Sequence, residues 1–190
     1  MITEAVSATR TAALIVLFER ASSPCFCRFW HFTGTKNEWL ERCAFRPEDN
    51  ANELAIAIAA GDETGVIAID GDDVIGWMKV ARRRRLPKLR RLPVYKSLDL
   101  GDEDTTFAIG CLLVDPAWRK KGVARAMLSA APDLARSLGG RALEAYPRRA
   151  SHPLYDEEAF LGPEALYVDL GWKAVHDVAP YPVYRTVLAT

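Results

Sequence analysis

A short basic turn is the part of the sequence with the clearest chemical potential. An apolar run ends at Asp115-Pro116 and is followed by a glycine-bearing basic segment and then by an alanine- and leucine-rich stretch. This pattern predicts a strand, a loop and the start of a helix in succession. The first turn of a helix has N–H groups without partners and carries a partial positive charge. The turn is therefore predicted to bind a phosphate group, assisted by Arg119, Lys120, Lys121 and Arg125.

The spacing separates this turn from other phosphate-binding turns. A P-loop needs Lys and Ser/Thr after its second glycine, and a dinucleotide fingerprint needs three glycines; neither pattern is present. The pattern here is Arg119-x-x-Gly122-x-Ala124, directly after Val114-x-Pro116. It resembles motif A of the GNAT superfamily of N-acetyltransferases, which binds the pyrophosphate of acetyl-coenzyme A (acetyl-CoA). An ordinary surface turn rich in Lys and Arg is the alternative interpretation.

The resemblance implies acetyl-CoA as cosubstrate and a set of residues that would hold it. The side chains of Arg119 and Lys120 would add positive charge. The central strand would pair with the pantetheine arm as a neighbouring strand would, and a strand N–H would stabilise the oxyanion. The main-chain groups implied are those of Leu112, Leu113 and Val114 on the strand, and of Lys121, Gly122, Val123, Ala124 and Arg125 in the turn.

A tyrosine near the C-terminus is the candidate proton donor. Tyr167-x-x-x-Gly171-Trp172 resembles the Tyr-x-x-x-Gly-Phe ending of a GNAT helix, whose tyrosine commonly acts as general acid. The resemblance implies that Tyr167 protonates the departing thiolate of the cofactor. A core tyrosine on an amphipathic helix is the alternative.

The general base is the point at which the sequence departs from the family pattern. Some GNAT enzymes carry a glutamate on the central strand, but the comparable position here is Ala108. Glu144 on the following strand is the candidate base. Asp104 and a water chain without a named side chain are the alternatives that stay open.

A segment dense in thiols and aromatic rings precedes the core. Cys25, Cys27, His31 and Cys43 include the residue types of a zinc site, but a single residue separates the paired cysteines. On an extended strand that spacing points the two thiols to opposite faces. We therefore expect no metal, and predict that these residues pack with the nearby aromatic rings as a lid over the acceptor side of the cleft.

A second resemblance covers nearly the whole chain. Cys25-x-Cys27-x-x-Trp30, Gly76-Trp77 and Glu144-Ala-Tyr-Pro147 resemble a bacterial branch of GNAT proteins with a Cys-x-Cys-x-x-Trp segment ahead of the core. An arginine-rich loop follows Val80 in the same pattern. This resemblance implies no substrate.

The overall charge excludes a general electrostatic attraction to nucleic acid or to an anionic membrane. The chain has 25 basic and 25 acidic residues. The arginine run of residues 82–85 is therefore predicted to fold over the anionic end of the cofactor, and an RNA-binding role is the weaker alternative. The apolar run Ala12 to Phe18 is too short to span a membrane and poor as a signal peptide, so a cytoplasmic location is expected. The four cysteines are then expected to be thiols or ligands and not a disulfide framework.

The order of predicted elements matches the GNAT order. Pro132 is expected to kink or end the helix that contains it. The strands are predicted at Ala12–Phe18, Val66–Asp70, Val74–Val80, Thr105–Val114, Leu143–Tyr146, Lys173–Val178 and Val183–Leu188. The helices are predicted around Glu38–Arg42, at Pro47–Gly61, Ala124–Leu138 and Pro163–Leu170.

The predicted fold class is α/β (α+β), a GNAT fold with a mixed central β-sheet of splayed strands flanked by helices. At 190 residues we expect one continuous domain. Residues 1–62 would supply an N-terminal strand, the thiol and aromatic segment and the helices of the acceptor side. Residues 63–190 would form the acetyl-CoA-binding core.

The predicted activity is transfer of an acetyl group from acetyl-CoA to a primary amine of a small molecule, by direct attack in a ternary complex. A protein amino group as acceptor is the alternative within the enzyme class, and a non-catalytic acyl-CoA-binding sensor is the alternative outside it. No nucleic acid or membrane partner is expected. A homodimer is compatible with the sequence, with Trp77 and Trp172 either in the core or at a dimer contact.

Overall fold

The computed structural model describes residues 1–92, 95, 101–152, 154–155 and 159–189. Within these residues a seven-stranded sheet has the order β1-β2-β3-β4-β5-β7-β6. Its strands are β1 Ile2–Ala5, β2 Gly65–Asp70, β3 Asp73–Arg82, β4 Thr106–Val114, β5 Ala142–Ala145, β6 Lys173–His176 and β7 Val183–Val187. The helices are α1 Thr11–Arg20, α2 Lys36–Phe45, α3 Pro47–Ala59, α4 Pro87–Arg91, α5 Val123–Ser137 and α6 Glu164–Asp169.

The centre of the sheet contains its only parallel pair among the described strands, β4 and β5. Their pairing is limited to Thr106–Ala108 against Ala142–Glu144. Beyond Ala108, β4 continues to Val114 without a strand beside it on that edge in the described part of the chain. The predicted splay of the sheet is therefore confirmed, and on this edge the main-chain groups of β4 beyond Ala108 have no partner strand among the described residues.

Side chains alternate between two cores, one on each face of the sheet. On β2, Val66 and Ala68 pack in the core beneath α5, whereas Ile67 and Ile69 pack in the core beneath α1 and α3. This alternation follows from the two-residue period of a strand. Because both faces are covered, the central strands are mostly apolar, and the buried Lys79 and Glu144 are charged exceptions.

The N-terminal prediction is wrong in its secondary structure. Residues 12–18 lie in α1 and not in a strand. The buried positions are Leu14, Leu17 and Phe18, a spacing that suits one face of a helix. A short apolar run is compatible with either element, and here burial against β2 and β3 selects the helix. The sequence analysis also missed β1, which pairs with β2 along its length.

Pro132 does not end its helix early, because α5 continues to Ser137. Proline removes one N–H, but Ala131 and Ala135 on either side of it are fully buried and hold the helix on the sheet.

Trp77 and Trp172 both lie in the core. The division at residue 62 stays a prediction. Among the described residues, no helix combines the length and apolar character that crossing a membrane requires.

Candidate active site

A bulge in β4 decides which side chains reach each face of the sheet. Lys79 pairs with Cys111 and Val80 pairs with Ile109, so Gly110 is the extra residue. Ile109 therefore packs beneath α5, while Cys111 packs on the side of α1. A Cβ on Gly110 would lie 3.0 Å from Lys79 Cδ and 3.3 Å from the Trp30 ring, which explains the glycine.

A cavity of about 720 Å³ lies between the turn after β4 and the segment around residues 148–166. We call it the basic cavity. Nine of the ten predicted cofactor-binding residues line it: Leu112, Leu113, Val114, Arg119, Lys120, Gly122, Val123, Ala124 and Arg125. The tenth, Lys121, does not line the cavity, and its ammonium group packs over the Trp118 ring at 5.2 Å.

The turn that forms one wall of the basic cavity is shaped by backbone conformation. Gly122 is the N-cap of α5 and has a φ of +83°, which a side chain would strain. The 15-residue helix starts without a side-chain cap and without an acidic residue in its first turn. Its N-terminal amides and partial positive charge therefore face the cavity uncompensated, and they suit an anionic ligand.

The opposite wall adds two arginines, partly balanced by Glu164, that the sequence analysis did not assign to the site. Arg148, Arg149 and His152 line the basic cavity. Arg149 is oriented by the Glu164 carboxylate and by Asp177, 2.6 Å away. The sequence did contain a signal for this wall, because the basic pair Arg148-Arg149 directly follows the predicted strand and Pro147.

The arginine run does not cover the basic cavity. Arg82 donates to the Leu138 carbonyl at 2.5 Å, and Arg84 and Arg85 pair with Asp104 and Asp62. None of residues 82–85 lines the cavity. The prediction that this run folds over the cofactor is therefore wrong, because local and cross-strand acceptors bind these guanidinium groups.

A second cavity, of about 610 Å³, lies on the other side of β4. We call it the aromatic cavity, because the rings of Phe29, Trp30, Trp39 and Phe160 line it. It shares Leu112, Leu113 and Arg119 with the basic cavity. The two cavities therefore meet at the part of β4 where the sheet is splayed.

The aromatic wall is built by turns. Phe26 and Cys27 have φ values of +41° and +58°. The Trp30 indole donates to the Gly110 carbonyl at 2.5 Å, which fixes the segment to the bulge of β4. The Phe29 ring stacks edge-on against Trp39 at 5.6 Å between centroids. The aromatic residues that were predicted to form a lid line one wall of the cavity. Their role in binding an acceptor stays a prediction.

A buried ion pair lies behind this wall. Lys79 is fully buried, and its ammonium group lies 2.7 Å from the Glu63 carboxylate. Arg28 reaches the same carboxylate at 2.9 Å. The Lys79 ammonium also lies 2.8 Å from His31 Nε2, and burial together with Lys79, Arg28 and Arg85 lowers the pKa of His31 to about 3. His31 is therefore a neutral acceptor for Lys79.

Two of the residues that were considered for a zinc site make other contacts. His31 accepts from Lys79, and the sulfur of Cys43 lies 3.8 Å from the amide nitrogen of Asn50. In the part of the chain that the structure describes, no group of three or more His, Cys, Asp or Glu residues has a geometry that could hold a metal ion.

Tyr167 is fully buried on α6, and burial raises its pKa. Its hydroxyl donates to the Leu161 carbonyl at 2.5 Å. A Cβ on Gly162 would lie 2.9 Å from that hydroxyl and 3.2 Å from Leu112 Cδ2, so Gly162 is wedged between Tyr167 and β4. Tyr167 does not itself line either cavity.

Residues 160–162, which we call the strap, occupy the open edge of β4. The N–H of Leu112 donates to the Phe160 carbonyl at 2.6 Å. The next carbonyl, of Leu161, accepts from Tyr167. Two consecutive carbonyls of the strap therefore bind one N–H of the central strand and the hydroxyl of Tyr167. The family resemblance implies that a strand N–H stabilises the oxyanion and that the tyrosine protonates the sulfur. No sequence pattern indicated the strap.

Glu144 is fully buried in an ion-pair cluster. Its carboxylate accepts from Arg83 at 3.0 Å, from Tyr146 at 2.5 Å and from Arg185. These contacts count against the predicted role as general base, because a base must be open to the acceptor's ammonium group. Glu144 also lines neither cavity.

The splayed mixed sheet with helices on both faces is the GNAT fold. A sequence model described as the acetyltransferase (GNAT) family matches residues 28–160. The chain therefore belongs to the acetyltransferase (GNAT) family. No curated protein matches the sequence.

Solved structures of other acetyltransferases share the fold over nearly the full length. An aminoglycoside 6'-N-acetyltransferase complexed with coenzyme A is 15% identical, with a TM-score of 0.56 over 100% of this chain and 98% of that one. The PaiA N-acetyltransferase of Thermoplasma acidophilum, in complex with coenzyme A, is 13% identical, with a TM-score of 0.54 over 98% and 99%. The ribosomal-protein-alanine N-acetyltransferase of Brucella melitensis is 14% identical, with a TM-score of 0.56 over 99% and 100%.

Proposed function

We propose that this chain transfers an acetyl group from acetyl-CoA to a primary amine of a small molecule, by direct attack in a ternary complex. The observation that carries the proposal is the meeting of the basic and aromatic cavities at Leu112 and Leu113 on the open edge of β4. A cofactor and an acceptor that enter from opposite sides would meet there. Two similar folds were crystallised with coenzyme A.

The basic cavity has the chemistry that the cofactor needs. The turn of residues 119–125 supplies N-terminal amides of α5 and cationic side chains for a pyrophosphate. The open edge of β4 offers main-chain groups to an amide-containing arm. When bound, acetyl-CoA would supply an activated acyl thioester. Because residues and group are compatible, we assign Arg119, Lys120, Gly122, Val123, Ala124 and Arg125 to the phosphates, and Leu112, Leu113 and Val114 to the arm.

The strap gives the two catalytic donors their positions. The Leu112 N–H would release the Phe160 carbonyl and donate instead to the thioester oxygen. There it would stabilise the negative charge that develops on that oxygen during transfer. The Tyr167 hydroxyl would release the Leu161 carbonyl and turn to the departing sulfur of coenzyme A. It would then donate its proton to that sulfur. Because its pKa is raised, Tyr167 carries that proton throughout the physiological range. Both exchanges require the strap to move away from β4.

The amine loses its proton to water in this scheme. Among the described residues that line the aromatic cavity, none is Asp, Glu or His. The contacts of Glu144 with Arg83, Arg185 and Tyr146 leave it without a free oxygen to accept the proton of the amine.

A cytoplasmic location and a homodimer remain predictions.

The test combines calorimetric titration of acetyl-CoA with release of the coenzyme A thiol in the presence of a panel of amines. We expect binding, and turnover with at least one small amine. Tyr167→Phe should lower kcat by about 10- to 100-fold with the Kd of acetyl-CoA kept. Tyr95→Phe, at another buried tyrosine, is the control and should leave kcat within about twofold.

Other outcomes distinguish the alternatives. Turnover with peptide N-termini alone would favour a protein acceptor. Binding without turnover for any amine or peptide would favour an acyl-CoA sensor. A folded parent that does not bind acetyl-CoA would overturn the proposal.

A further inference from the structure

The segment between β3 and β4 places one cation on a group of aromatic rings. The Lys88 ammonium of α4 lies 4.4 Å from the ring centroid of Phe29, 5.0 Å from that of Phe32 and 5.9 Å from that of Trp39. All three distances are within the range of a cation–π interaction. We call these three rings the ring cage. The proposed transfer makes no use of it as a cation site.

The ring cage is built by packing that does not involve Lys88. The Phe29 and Trp39 rings meet edge-on at 5.6 Å, and the centroids of Phe32 and Trp39 are 5.2 Å apart. A Cβ on Gly34 would lie 2.6 Å from the Phe32 ring, so this glycine lets the turn pack against that ring. Trp39 is buried on α2. The rings are therefore prearranged for a cation by their own contacts.

Lys88 is a poorly satisfied occupant of the ring cage. Its ammonium group has three N–H donors, and within the described part of the chain no carboxylate or carbonyl accepts from them. The Glu38 carboxylate, next to Trp39 in the sequence, accepts from the Thr35 N–H at 2.7 Å instead. Burial lowers the pKa of Lys88, so its charged form is less stable on the rings than in water. Because the side chain is partly exposed and flexible, it can leave the rings.

A quaternary ammonium group suits such a cage better than a primary one. It carries the same charge but has no N–H, so it gives up no hydrogen bond to water when the rings enclose it. Its methyl groups also bury apolar area against the ring faces. Aromatic cages of this kind are a recognised way in which proteins bind quaternary ammonium groups.

The ring cage borders the aromatic cavity. Phe29 and Trp39 line this cavity, together with the part of β4 where it meets the basic cavity. Phe32 and Lys88 do not line it, so Phe32 belongs to the ring cage alone. An acceptor in the aromatic cavity can therefore reach β4 with one group and two of the three rings with another.

The charges around the aromatic cavity are compatible with a cationic ligand. Two arginines line the cavity, Arg20 and Arg119. Arg20 is paired with Asp115 at 2.8 Å and with Asp73 at 3.1 Å, and we assign Arg119 to the phosphates of the cofactor. No acidic residue lines the cavity among those described. The ring faces are therefore the groups that can attract a cation there.

We propose that the acceptor carries two nitrogen groups, a primary amine that is acetylated at β4 and a quaternary ammonium group that replaces Lys88 on Phe29, Phe32 and Trp39. The quaternary nitrogen has no lone pair, so only the primary amine can take the acetyl group. Lys88 is an internal occupant that the acceptor displaces. The role of the primary amine rests on the proposed function, whereas the cation site does not.

The first test compares matched acceptors. Release of the coenzyme A thiol is measured with aminoalkyl-trimethylammonium ions of increasing chain length, corrected for the pKa of each primary amine. Each ion is compared with the tert-butyl amine of the same length, which has the same shape without the charge. At the best chain length, kcat/KM should be at least about fivefold higher for the cation. Equal values, or a preference for the neutral compound, would overturn the proposal.

Phe32→Leu tests the ring cage without changing the described lining of the aromatic cavity. It should lower the preference for the cation at least about threefold and leave kcat/KM for the neutral compound within about twofold. Phe45→Leu is the matched control, because the Phe45 ring is exposed on α2 and lies outside the cavity. An unchanged preference in Phe32→Leu would contradict the assignment of the rings.

Lys88→Ala tests the displaced occupant. KM for the trimethylammonium acceptor should fall at least about threefold with kcat kept, because the rings no longer have to release a cation first. Lys36→Ala removes the same charge from an exposed position and should leave both constants within about twofold. A higher KM in Lys88→Ala would show that Lys88 assists the acceptor, and the proposal would fail.

Binding without chemistry separates this proposal from the proposed function. Tetramethylammonium is titrated into Lys88→Ala and into Lys88→Ala/Phe32→Leu, and the heat of binding is measured. Suppose that the protein acetylates no amine, but that the first variant binds the ion at least about threefold more tightly than the second. The proposed function would then be refuted and the cation site would stand. Turnover of neutral amines without binding of tetramethylammonium would overturn this inference and leave the proposed function.

Discussion

The basic and aromatic cavities border the same strand but are assembled in different ways. One wall of the basic cavity is a single continuous stretch, from Leu112 to Arg125. The aromatic cavity combines parts of the chain around residues 20–30, Trp39, residues 110–119 and Phe160. Local spacing can encode the first arrangement, because neighbouring residues share one turn. The second depends on which segments meet.

The same difference appears in how each cavity is held together. The basic cavity relies on a glycine conformation and on the start of a helix, both local properties of the chain. The aromatic cavity relies on a hydrogen bond from Trp30 to the bulge of β4 and on a buried Lys79–Glu63 pair. Substitutions in the first should therefore affect ligand binding, whereas substitutions in the second should affect stability first.

The largest effect is expected from Glu63→Leu. It would leave the buried Lys79 ammonium and the Arg28 guanidinium facing each other without their shared carboxylate. The free energy of unfolding should fall by about 3–5 kcal/mol, measured by urea denaturation. The double variant Lys79→Met/Glu63→Leu should be less destabilised than Glu63→Leu alone. A loss below about 1 kcal/mol would show that the pair does not support the aromatic wall.

Gly122→Glu should separate binding from stability. Its carboxylate would repel the pyrophosphate, so the Kd of acetyl-CoA should rise at least about 100-fold in calorimetry. Gly61→Glu is the matched control, because Gly61 also has a positive φ of +72° and open space around it but lies outside the basic cavity. Equal affinities of the two variants for acetyl-CoA would remove the turn from the binding site.

His31→Gln tests the network behind the aromatic wall through pH. The folded-state pKa of about 3 lies below the unfolded value of 6.5, so between these pH values the unfolded chain binds a proton that the folded chain does not. Acidification in this window therefore lowers the free energy of unfolding. The variant should lose about 2 kcal/mol less than the parent between pH 7 and pH 4. Parallel pH curves for the two proteins would contradict the assignment.

The smallest effect is expected at the strap. Gly162 has a φ of +80°, and an added Cβ would press on Tyr167 and Leu112. Gly162→Ala should lower the free energy of unfolding by about 1–2 kcal/mol and should also change kcat, because both proposed catalytic donors contact the strap. Gly171→Ala, with a φ of +77° and open space, is the control for strain alone. Equal kcat values in the two variants would indicate that the strap takes no part in catalysis.

Much of the fold could be predicted because its signals are local. The hairpin of β2 and β3, the central strand and the helix after it agree with their predicted bounds to within a few residues. The exceptions have a physical cause. The run at residues 12–18 is too short for its period to be read, and only burial of Leu14, Leu17 and Phe18 against the sheet selects the helix. The effect of Pro132 likewise depended on the packing of its neighbours.

The sequence by itself determined the basic turn after β4, since the glycine, the basic residues and the helix start are consecutive. It also determined the family, through the same motif. Only the tertiary structure decided the partners of the charged and polar groups. Glu144 became part of an ion-pair cluster, the arginine run found acceptors away from the cavity, and Cys27 and Cys111 joined the same buried cluster. Burial, strand register and the bulge at Gly110 set these contacts, and none of them follows from the spacing of neighbouring residues.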